Sequence, residues 1–223
     1  MKIYVPRLRI DLHLHTHYSE DGKTTLKEAI QYAKKRRLDG IAVTDHDTVQ
    51  GAVKLAKQKD LLVIPGIEVS SRHGHVLGLN VTEPIEPELD ITETVKRIRL
   101  LGGIAVIAHP AVVIKTGMGT TIKSASGIDA VEVINASAFP FSLSTYLSRR
   151  LALRLGLPQT GGSDSHYPEE IGNAYTIIDA NSNPDDVIEA IREGRTEPVG
   201  KPISWIRRLE RGSENIRMKL GGR

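Results

Sequence analysis

Histidines recur at every second position near the start of this 223-residue chain, in the run Asp11-Leu-His-Leu-His-Thr-His17. Alternate side chains of a β-strand share a face, so His13, His15 and His17 would point one way and the two leucines the other. Imidazole nitrogens are ligands for zinc, iron and manganese. The spacing therefore predicts a metal-binding strand, although a partly solvated edge strand can carry the same pattern.

Further histidines and acids close most of the later apolar runs, and they are Asp45, His46, Glu68, His75, His109, Asp164 and His166. Each alone suits a structural role, such as a hydrogen-bonded core histidine or an aspartate in a turn. Glu68 is the most demanding, because a carboxylate in apolar surroundings is costly unless it is paired or metal-bound. Taken jointly, these residues indicate a metal centre.

Apolar runs alternate with helical patterns along most of the chain. Strands are expected within 9–17, 40–46, 61–70, 75–79, 104–109, 130–135, 158–166, 174–178 and 196–202. Helices are expected at about 25–37, 48–59, 91–101, 142–155 and 183–192. This order predicts a mainly parallel sheet or barrel with its functional groups at the C-terminal ends of the strands.

His75 begins its apolar run, whereas the other candidates follow theirs. An antiparallel hairpin of 61–70 with 75–79 resolves the conflict, because the second strand then starts where the first one ends. The hairpin is therefore part of the predicted site. The segment 111–127, rich in small residues, is expected to form a loop over the same site.

Composition limits the class of protein. Hydrophobic residues make up 39% of the chain and charged residues 26%, which is typical of one globular domain spanning 1–223. No apolar run reaches the roughly 18 residues of a membrane span, and no signal peptide is recognisable, so a cytoplasmic protein is expected. Cysteine is absent, so any metal must be held by nitrogen and oxygen.

The charge of the chain is mildly basic, with a net charge of +3 and a pI near 9.1. This balance favours anionic partners without requiring nucleic acid. Much of the excess lies in a basic tail at 203–223, expected to be helical to about Gly212 with Arg207, Arg208 and Arg211 exposed.

The motifs resemble, in order, those of the polymerase and histidinol phosphatase (PHP) family of metal-dependent phosphoesterases. They are Asp11-Leu-His-Leu-His15, Thr44-Asp-His-Asp47, Gly66-Ile-Glu-Val-Ser70, His75-Val-Leu-Gly-Leu79, Ala108-His-Pro110 and Gly162-Ser-Asp-Ser-His166. The resemblance spans about 9–173, and the complete set is specific. It implies an α/β fold, a distorted (β/α)7 TIM-like barrel with two or three divalent ions at its mouth.

By similarity, the ligands fall into three sets. His13, His15, Glu68 and Asp164 would hold the first ion, and Glu68, His75 and His109 the second, with Glu68 as the bridge. His46 and His166 would hold a third ion with an acid from the loop after His15, for which Asp21 is favoured over Glu20. Glu68, His166 and Asp45 are the expected catalytic residues, and Asp45 and Asp11 could also act by orienting ligand histidines.

The resemblance implies hydrolysis of a small phosphorylated substrate, with a nucleotide as one candidate. Paired zinc, manganese or iron ions would lower the pKa of a water to give the hydroxide nucleophile. Arg72, Lys115 and Lys123 are candidates to bind the phosphate, and His17 could touch the substrate. Two rival functions stay open, an amidohydrolase-type C–N hydrolase and a non-catalytic RNA-binding barrel that uses the basic tail.

Overall fold

The computed structural model describes residues 5–110 and 127–211. The strands are β1 (Arg7–Leu14), β2 (Gly40–Val43), β3 (Leu62–Ser71), β4 (Gly74–Leu79), β5 (Ile104–Ile107), β6 (Ala130–Asn135), β7 (Gln159–Gly162), β8 (Ala174–Asp179) and β9 (Thr196–Gly200). The helices are α1 (Leu26–Lys35), α2 (Gln50–Leu55), α3 (Ile91–Leu100), α4 (Phe141–Leu155), α5 (Pro184–Arg192) and α6 (205–211). Strand and helix alternate along much of the chain, as the sequence predicts.

All nine strands form one sheet in the order β7-β6-β5-β4-β3-β2-β1-β8-β9. The strands β1, β2 and β3 pair in parallel, as do β5, β6 and β7. Strand β4 is antiparallel to both β3 and β5, with His75 opposite Ser70. The predicted hairpin is therefore confirmed, and it brings the start of β4 to the edge where β3 ends.

The sheet curls until the end of β7 meets the end of β1. The backbone amides of His15 and Asp164 donate to the carbonyls of Ser165 and His13 at 2.9 and 2.7 Å. The predicted distorted TIM-like α/β barrel is confirmed as a nearly closed sheet. It has nine strands instead of seven because antiparallel strands join the parallel ones.

The alternation of β1 separates its apolar side chains from its polar ones. Leu8, Ile10 and Leu12 are buried in one apolar cluster with residues of β3, β4, β5 and α5. Asp11 and His13, also buried, point to the opposite face. Packing of the leucine face therefore fixes the direction in which the histidines point.

Two helices show how local sequence sets their ends. At α1 the predicted capping box is confirmed, since Thr25 accepts from the amide of Glu28 and Glu28 accepts from the amide of Thr25. Helix α2 is shorter than the predicted 48–59. The side-chain oxygen of Gln58 accepts hydrogen bonds from the amides of Asp60 and Leu61, so the chain turns before β3.

The tail departs from the prediction that its arginines are exposed. Arg207, Arg208 and Arg211 are all partly buried. Arg208 donates to the carbonyls of residues 136–138, and Arg211 forms an ion pair with the buried carboxylate of Glu170. The physical reason is that backbone carbonyls and a buried acid near the barrel mouth need donors, and the arginines supply them.

Two further predictions concern the loop 111–127 and membrane-spanning segments. The expected loop 111–127 lies outside them apart from Gly127, and Lys115 and Lys123 lie outside with it. Among the described helices, none combines the length and the apolar character needed to cross a bilayer.

Replacing Gly162 with alanine is expected to destabilise the closure of the barrel. The added Cβ would lie 2.4 Å from Cβ and 2.8 Å from N of His13, so β1 and β7 would have to separate. We expect G162A to lower the free energy of unfolding by about 2 kcal/mol, as in other overpacked cores. Urea titration followed by circular dichroism measures this loss.

The matched control for that measurement is G161A. Its Cβ would meet its nearest neighbours at 3.2 to 3.3 Å, so the loss of stability should be smaller. Equal losses in the two variants would contradict the close packing of β7 on β1.

Candidate metal centre

Successive strand ends deliver the predicted residues to one mouth of the barrel. Strand β1 supplies His13, β3 supplies Glu68, and the others are His15 after β1, His46 after β2, His75 on β4, His109 after β5, and Asp164 and His166 after β7. With Asp21, they form overlapping groups in which the donor atoms lie within 4.8 Å of one another. Residues far apart in sequence are thus brought together.

The most buried group consists of His13, His15 and Glu68, and Asp164 lies beside it in a group with His13 and His109. The two Nε2 atoms lie 3.2 Å apart, and each is 3.1 Å from Oε2 of Glu68. Oδ1 of Asp164 lies 3.3 Å from Nε2 of His15 and 3.6 Å from Nε2 of His13. Tetrahedral ligands at 2.0 to 2.1 Å from an ion are about 3.3 Å apart. The donors of His13, His15 and Glu68 are therefore spaced to hold one divalent ion, and Asp164 lies close enough to the two histidines to be a further candidate.

Hydrogen bonds on the far side of each ring orient the two deep histidines. Nδ1 of His13 lies 3.0 Å from Oε1 of Glu132, and an ionised carboxylate can only accept, so Nδ1 carries the proton. The Ser19 hydroxyl gives its proton to Asp45 and therefore accepts from Nδ1 of His15 at 3.2 Å. Once each ring has lost its second proton, the Nε2 lone pair faces the donor group and can bind a metal ion.

Glu68 contacts histidines through both of its oxygens. Oε1 lies 2.9 Å from Nδ1 of His75 and 3.0 Å from Nε2 of His109. Oε2 faces the two deep histidines and, at 3.4 Å, Nδ1 of His46. Both histidines of the expected second set therefore contact Glu68, although the donor groups place His75 with His46 and Glu68, and His109 with His13 and Asp164.

The third set lies at the rim of the mouth. Nε2 of His166 is 2.9 Å from Oδ2 of Asp21, and Nε2 of His46 is 3.9 Å from the same atom. Partial burial would raise the pKa of Asp21, but the contact with His166 lowers it to about 2. Asp21, and not Glu20, belongs to the donor group, while His46 reaches both this set and Glu68.

The electrostatics of the deep group favour positive charge. Burial would lower the pKa of His13 and His15, but the surrounding carboxylates outweigh it; the pKa of His13 lies well above 6.5 and that of His15 rises to about 9. Burial would raise the pKa of Glu68, yet the imidazoles hold it well below 4.5. Carboxylates that hold protons on histidines also attract metal cations, so protons and ions compete here.

His46 differs from the deep histidines. Burial lowers its pKa to about 4, so its imidazole is neutral at pH 7. A neutral imidazole is the form that binds a metal.

Two of the candidate ligands adopt a backbone conformation that L-residues rarely take. The φ angles are +51° at Asp164 and +31° at His109. The amide of Asp164 donates to the His13 carbonyl at 2.7 Å, and that of His109 donates to Glu132 at 2.8 Å. Such strain persists where surrounding contacts fix it, and it is common at functional sites.

Asp45 and Asp11 lie behind the donor groups. Asp45 accepts from the amide and hydroxyl of Thr16 at 2.6 and 2.8 Å and from Ser19 at 3.2 Å. Asp11 accepts from the amides of Ser163 and Gly172, and burial raises its pKa to about 6 despite these bonds. These hydrogen bonds indicate that Asp45 and Asp11 position the mouth loops. A direct catalytic role for Asp45 stays a prediction.

The remaining predicted residues lie outside the donor groups. Arg72 is exposed in the turn between β3 and β4. His17 is exposed and contacts the carbonyl of Thr24, and His73 lies 3.6 Å from Asp90 at the surface. A phosphate-binding role for Arg72 therefore stays a prediction.

Sequence reasoning missed Glu132, Asn135 and Ser19 as members of the site. Ser19 joins His15, Asp45 and the amide of His46. Glu132 contacts His13 and His109, and Asn135 contacts Asp164. A glutamate inside the apolar strand 130–135 was a visible signal of this kind, whereas a serine in a turn was not.

The fold is an α/β barrel whose histidine and carboxylate groups could hold metal ions. A family model described as PHP domain matches residues 11–136, more than half of the chain, and one described as PHP-associated matches 144–196. The chain belongs to the PHP family, and the resemblance seen in the motifs is confirmed.

Several known proteins are similar in sequence. The chain is 34% identical over 142 residues to the uncharacterized protein MJ1587 of Methanocaldococcus jannaschii, covering 58% of this chain and 82% of that protein. It is 36% identical over 181 residues to the 5'-3' exoribonuclease Rnm of Salmonella typhimurium, covering 76% and 51%. It is 38% identical over 87 residues to a 3',5'-nucleoside bisphosphate phosphatase of Chromobacterium violaceum, covering 36% and 30%. The matches thus span about half or less of these two enzymes.

A solved structure supports the fold. The similar chain is a two-domain protein from Bacteroides vulgatus that contains a predicted PHP-like metal-dependent phosphoesterase. The TM-score is 0.74 at 18% identity, covering 88% of this chain and 66% of that one.

Removing the charge of Glu68 is expected to abolish tight metal binding. E68Q replaces one carboxylate oxygen with an NH₂ group, which has no lone pair to offer a cation. It also removes the negative charge that attracts the ion. We expect the affinity for Mn²⁺ or Zn²⁺, measured by isothermal titration calorimetry, to fall by about 100-fold or more. Mutating a residue that only hydrogen-bonds to a metal ligand already lowers metal affinity by about 10- to 100-fold.

The control variant is E169Q, at a partly exposed carboxylate that pairs with Arg207. It should bind metal as the unmodified protein does. Unchanged affinity in E68Q would show that Glu68 is not a ligand.

Proposed function

We propose that this protein hydrolyses a small phosphorylated substrate, with a nucleotide as the leading candidate, and that divalent ions are required. The observation that carries the proposal is the placement of Glu68. One of its oxygens faces His13 and His15 and the other faces His75 and His109. A carboxylate contacted in this way can bridge two ions, as in two-metal hydrolases.

We propose two ions in the buried groups and a third at the rim. The first would be held by His13, His15, Glu68 and Asp164, the second by Glu68, His75 and His109, and the third by Asp21, His46 and His166. Nitrogen and oxygen donors are compatible with zinc, manganese and iron. When bound, such ions lower the pKa of water and neutralise charge on a phosphoryl group.

The side chains at the rim would contact the substrate. Asp21, His46 and His166 are partly exposed, with 52%, 25% and 18% of their side-chain surfaces accessible. The Asp164 carbonyl accepts from Nδ1 of His166 at 3.1 Å, so Nε2 points to the mouth. We assign His166 the task of stabilising the leaving oxygen.

Cationic side chains would bind the phosphate, and Arg72 and Lys115 are the candidates. Arg72 makes no ion pair within the described residues, so its guanidinium is available to an anion. Lys115 belongs to the same proposal on sequence grounds alone. Asp45 would act indirectly, by holding the loop that carries His15 and Ser19.

Two observations favour this function over its rivals. An amidohydrolase-type centre would carry a carbamylated lysine at the bridging position, where this chain has Glu68. An RNA-binding scaffold would need a free basic tail, yet Arg208 and Arg211 bind the mouth loops of the same chain. The similarity to an exoribonuclease makes nucleic acid the substrate to compare with small molecules.

The proposal predicts metal-dependent turnover of a phosphoester. Protein treated with a chelator should lose activity on a panel of nucleoside monophosphates, bisphosphates, phosphodiesters and short RNA, and Mn²⁺ or Zn²⁺ should restore it. Phosphate or nucleotide release is the measurement. No metal-dependent turnover on any member would contradict the proposal, and faster turnover of RNA than of nucleotides would contradict the small substrate.

D164N should reduce kcat by about 100-fold or more, because it weakens a proposed ligand of the first ion. Mutating a residue that only hydrogen-bonds to such a ligand already lowers activity by about 10- to 100-fold. D60N, at an exposed aspartate that pairs with Lys34, is the control and should leave kcat unchanged. Full activity in D164N would remove Asp164 from the site.

A further inference from the structure

Strand β6 carries two buried polar side chains that the proposed chemistry does not use. Glu132 and Asn135 are 1% and 4% exposed, and every residue of 130–135 is buried. A buried carboxylate is stable only where donors surround it. Glu132 therefore has a structural or functional task that can be read from its partners.

A strand irregularity lets both side chains face the mouth. Residues three apart on a regular strand point to opposite faces. The register of β6 against β7 shifts between Glu132 and Ile134, which is the mark of a bulge. As a result Glu132 and Asn135 both reach the donor groups.

The partners of Glu132 are all hydrogen-bond donors. Oε1 accepts from Nδ1 of His13 at 3.0 Å, and Oε2 accepts from the amide of His109 at 2.8 Å and from Nδ2 of Asn135 at 2.9 Å. The first bond holds a proton on Nδ1 of His13 and fixes the orientation of the ring. In that orientation Nε2 faces Glu68. The second supports the positive φ of His109.

The orientation of the Asn135 amide is also fixed. Its oxygen accepts from the amides of Ser137 and Ala138 at 2.9 and 3.0 Å. Its nitrogen must then donate, and it does so to Glu132 and to Oδ2 of Asp164 at 3.1 Å. Asp164 is thereby left with Oδ1 facing His13 and His15.

We propose that Glu132 and Asn135 are a positioning pair that sets the donor atoms of His13, His109 and Asp164 before an ion binds. The inference rests on the proposed metal centre. The pair itself would not touch substrate. A cavity of about 10 Å³ adjoins both side chains and His109, and that is room for one water at most.

E132Q tests the first half of the pair. The glutamine oxygen is favoured at the position of Oε2, where two donors converge, so its NH₂ group faces Nδ1 of His13. That contact removes the proton from Nδ1 and transfers it to Nε2, the nitrogen needed for metal. At a pH high enough for the metal-free His13 ring to carry a single proton, that proton should therefore lie on Nδ1 in the unmodified protein and be absent from Nδ1 in E132Q, as seen by ¹⁵N NMR of the imidazole.

Metal affinity is the second readout. We expect the affinity of E132Q for Zn²⁺ or Mn²⁺ to fall by about 10- to 100-fold, as for other outer partners of ligands. N135D tests the other half, because it keeps the oxygen that Ser137 and Ala138 need and places a carboxylate against Asp164. It should weaken metal binding by a similar factor.

D129N is the matched control. Asp129 is a buried carboxylate just before β6 that accepts from the amide of Ala105 at 2.9 Å and pairs with Arg99, far from the donor groups along the strand. It should keep both the Nδ1 proton of His13 and the metal affinity. If D129N lost as much metal affinity as E132Q, the effect of E132Q would be a general effect on folding and not evidence for the positioning pair.

The outcomes separate this inference from the proposed function. Metal affinities of E132Q and N135D within twofold of the unmodified protein, with the Nδ1 proton retained, would overturn the pair. If E132Q does not fold, N135D decides the same question. An unmodified protein that carries the Nδ1 proton but binds no ion would instead overturn the metal centre.

Discussion

The structure depends on one buried carboxylate and the imidazoles around it. Glu68 is 1% exposed, and its two oxygens lie within 3.4 Å of nitrogens from five histidines: His13, His15, His46, His75 and His109. Burying an ionised carboxylate costs several kcal/mol unless positive charge compensates it. Protons on His13 and His15 provide that charge in the metal-free protein, and divalent ions provide it when bound. The need for charge balance thus links the fold to the chemistry.

The barrel meets this need by anchoring three of its described mouth segments behind their ligands. Asp45 and Ser19 hold the loop after β1, Asp11 ties β1 to the segment after β7, and Glu132 holds the segment after β5. Each anchor is a polar group whose donors come from backbone amides, from neighbouring side chains or from a ligand ring. The loops are therefore fixed before any ion or substrate arrives, which is the preorganisation that metal catalysis requires.

Much of the fold and of the donor set follows from sequence, because both depend on short-range patterns. The period-two spacing of His13 and His15 gives their common face, and the antiparallel hairpin explains why His75 begins its strand. What escaped prediction depends on contacts between distant segments. The bulge that turns Glu132 and Asn135 to one side, the position of His46 between two groups, and the docking of Arg208 and Arg211 leave no periodic signal in the chain.

Anomalous diffraction from crystals grown with Mn²⁺ tests the central claim most directly. The account predicts a peak equidistant from Nε2 of His13, Nε2 of His15, Oε2 of Glu68 and Oδ1 of Asp164, with a second peak beside Oε1 of Glu68. Peaks confined to surface carboxylates, with Glu68 still contacting bare imidazoles, would contradict it.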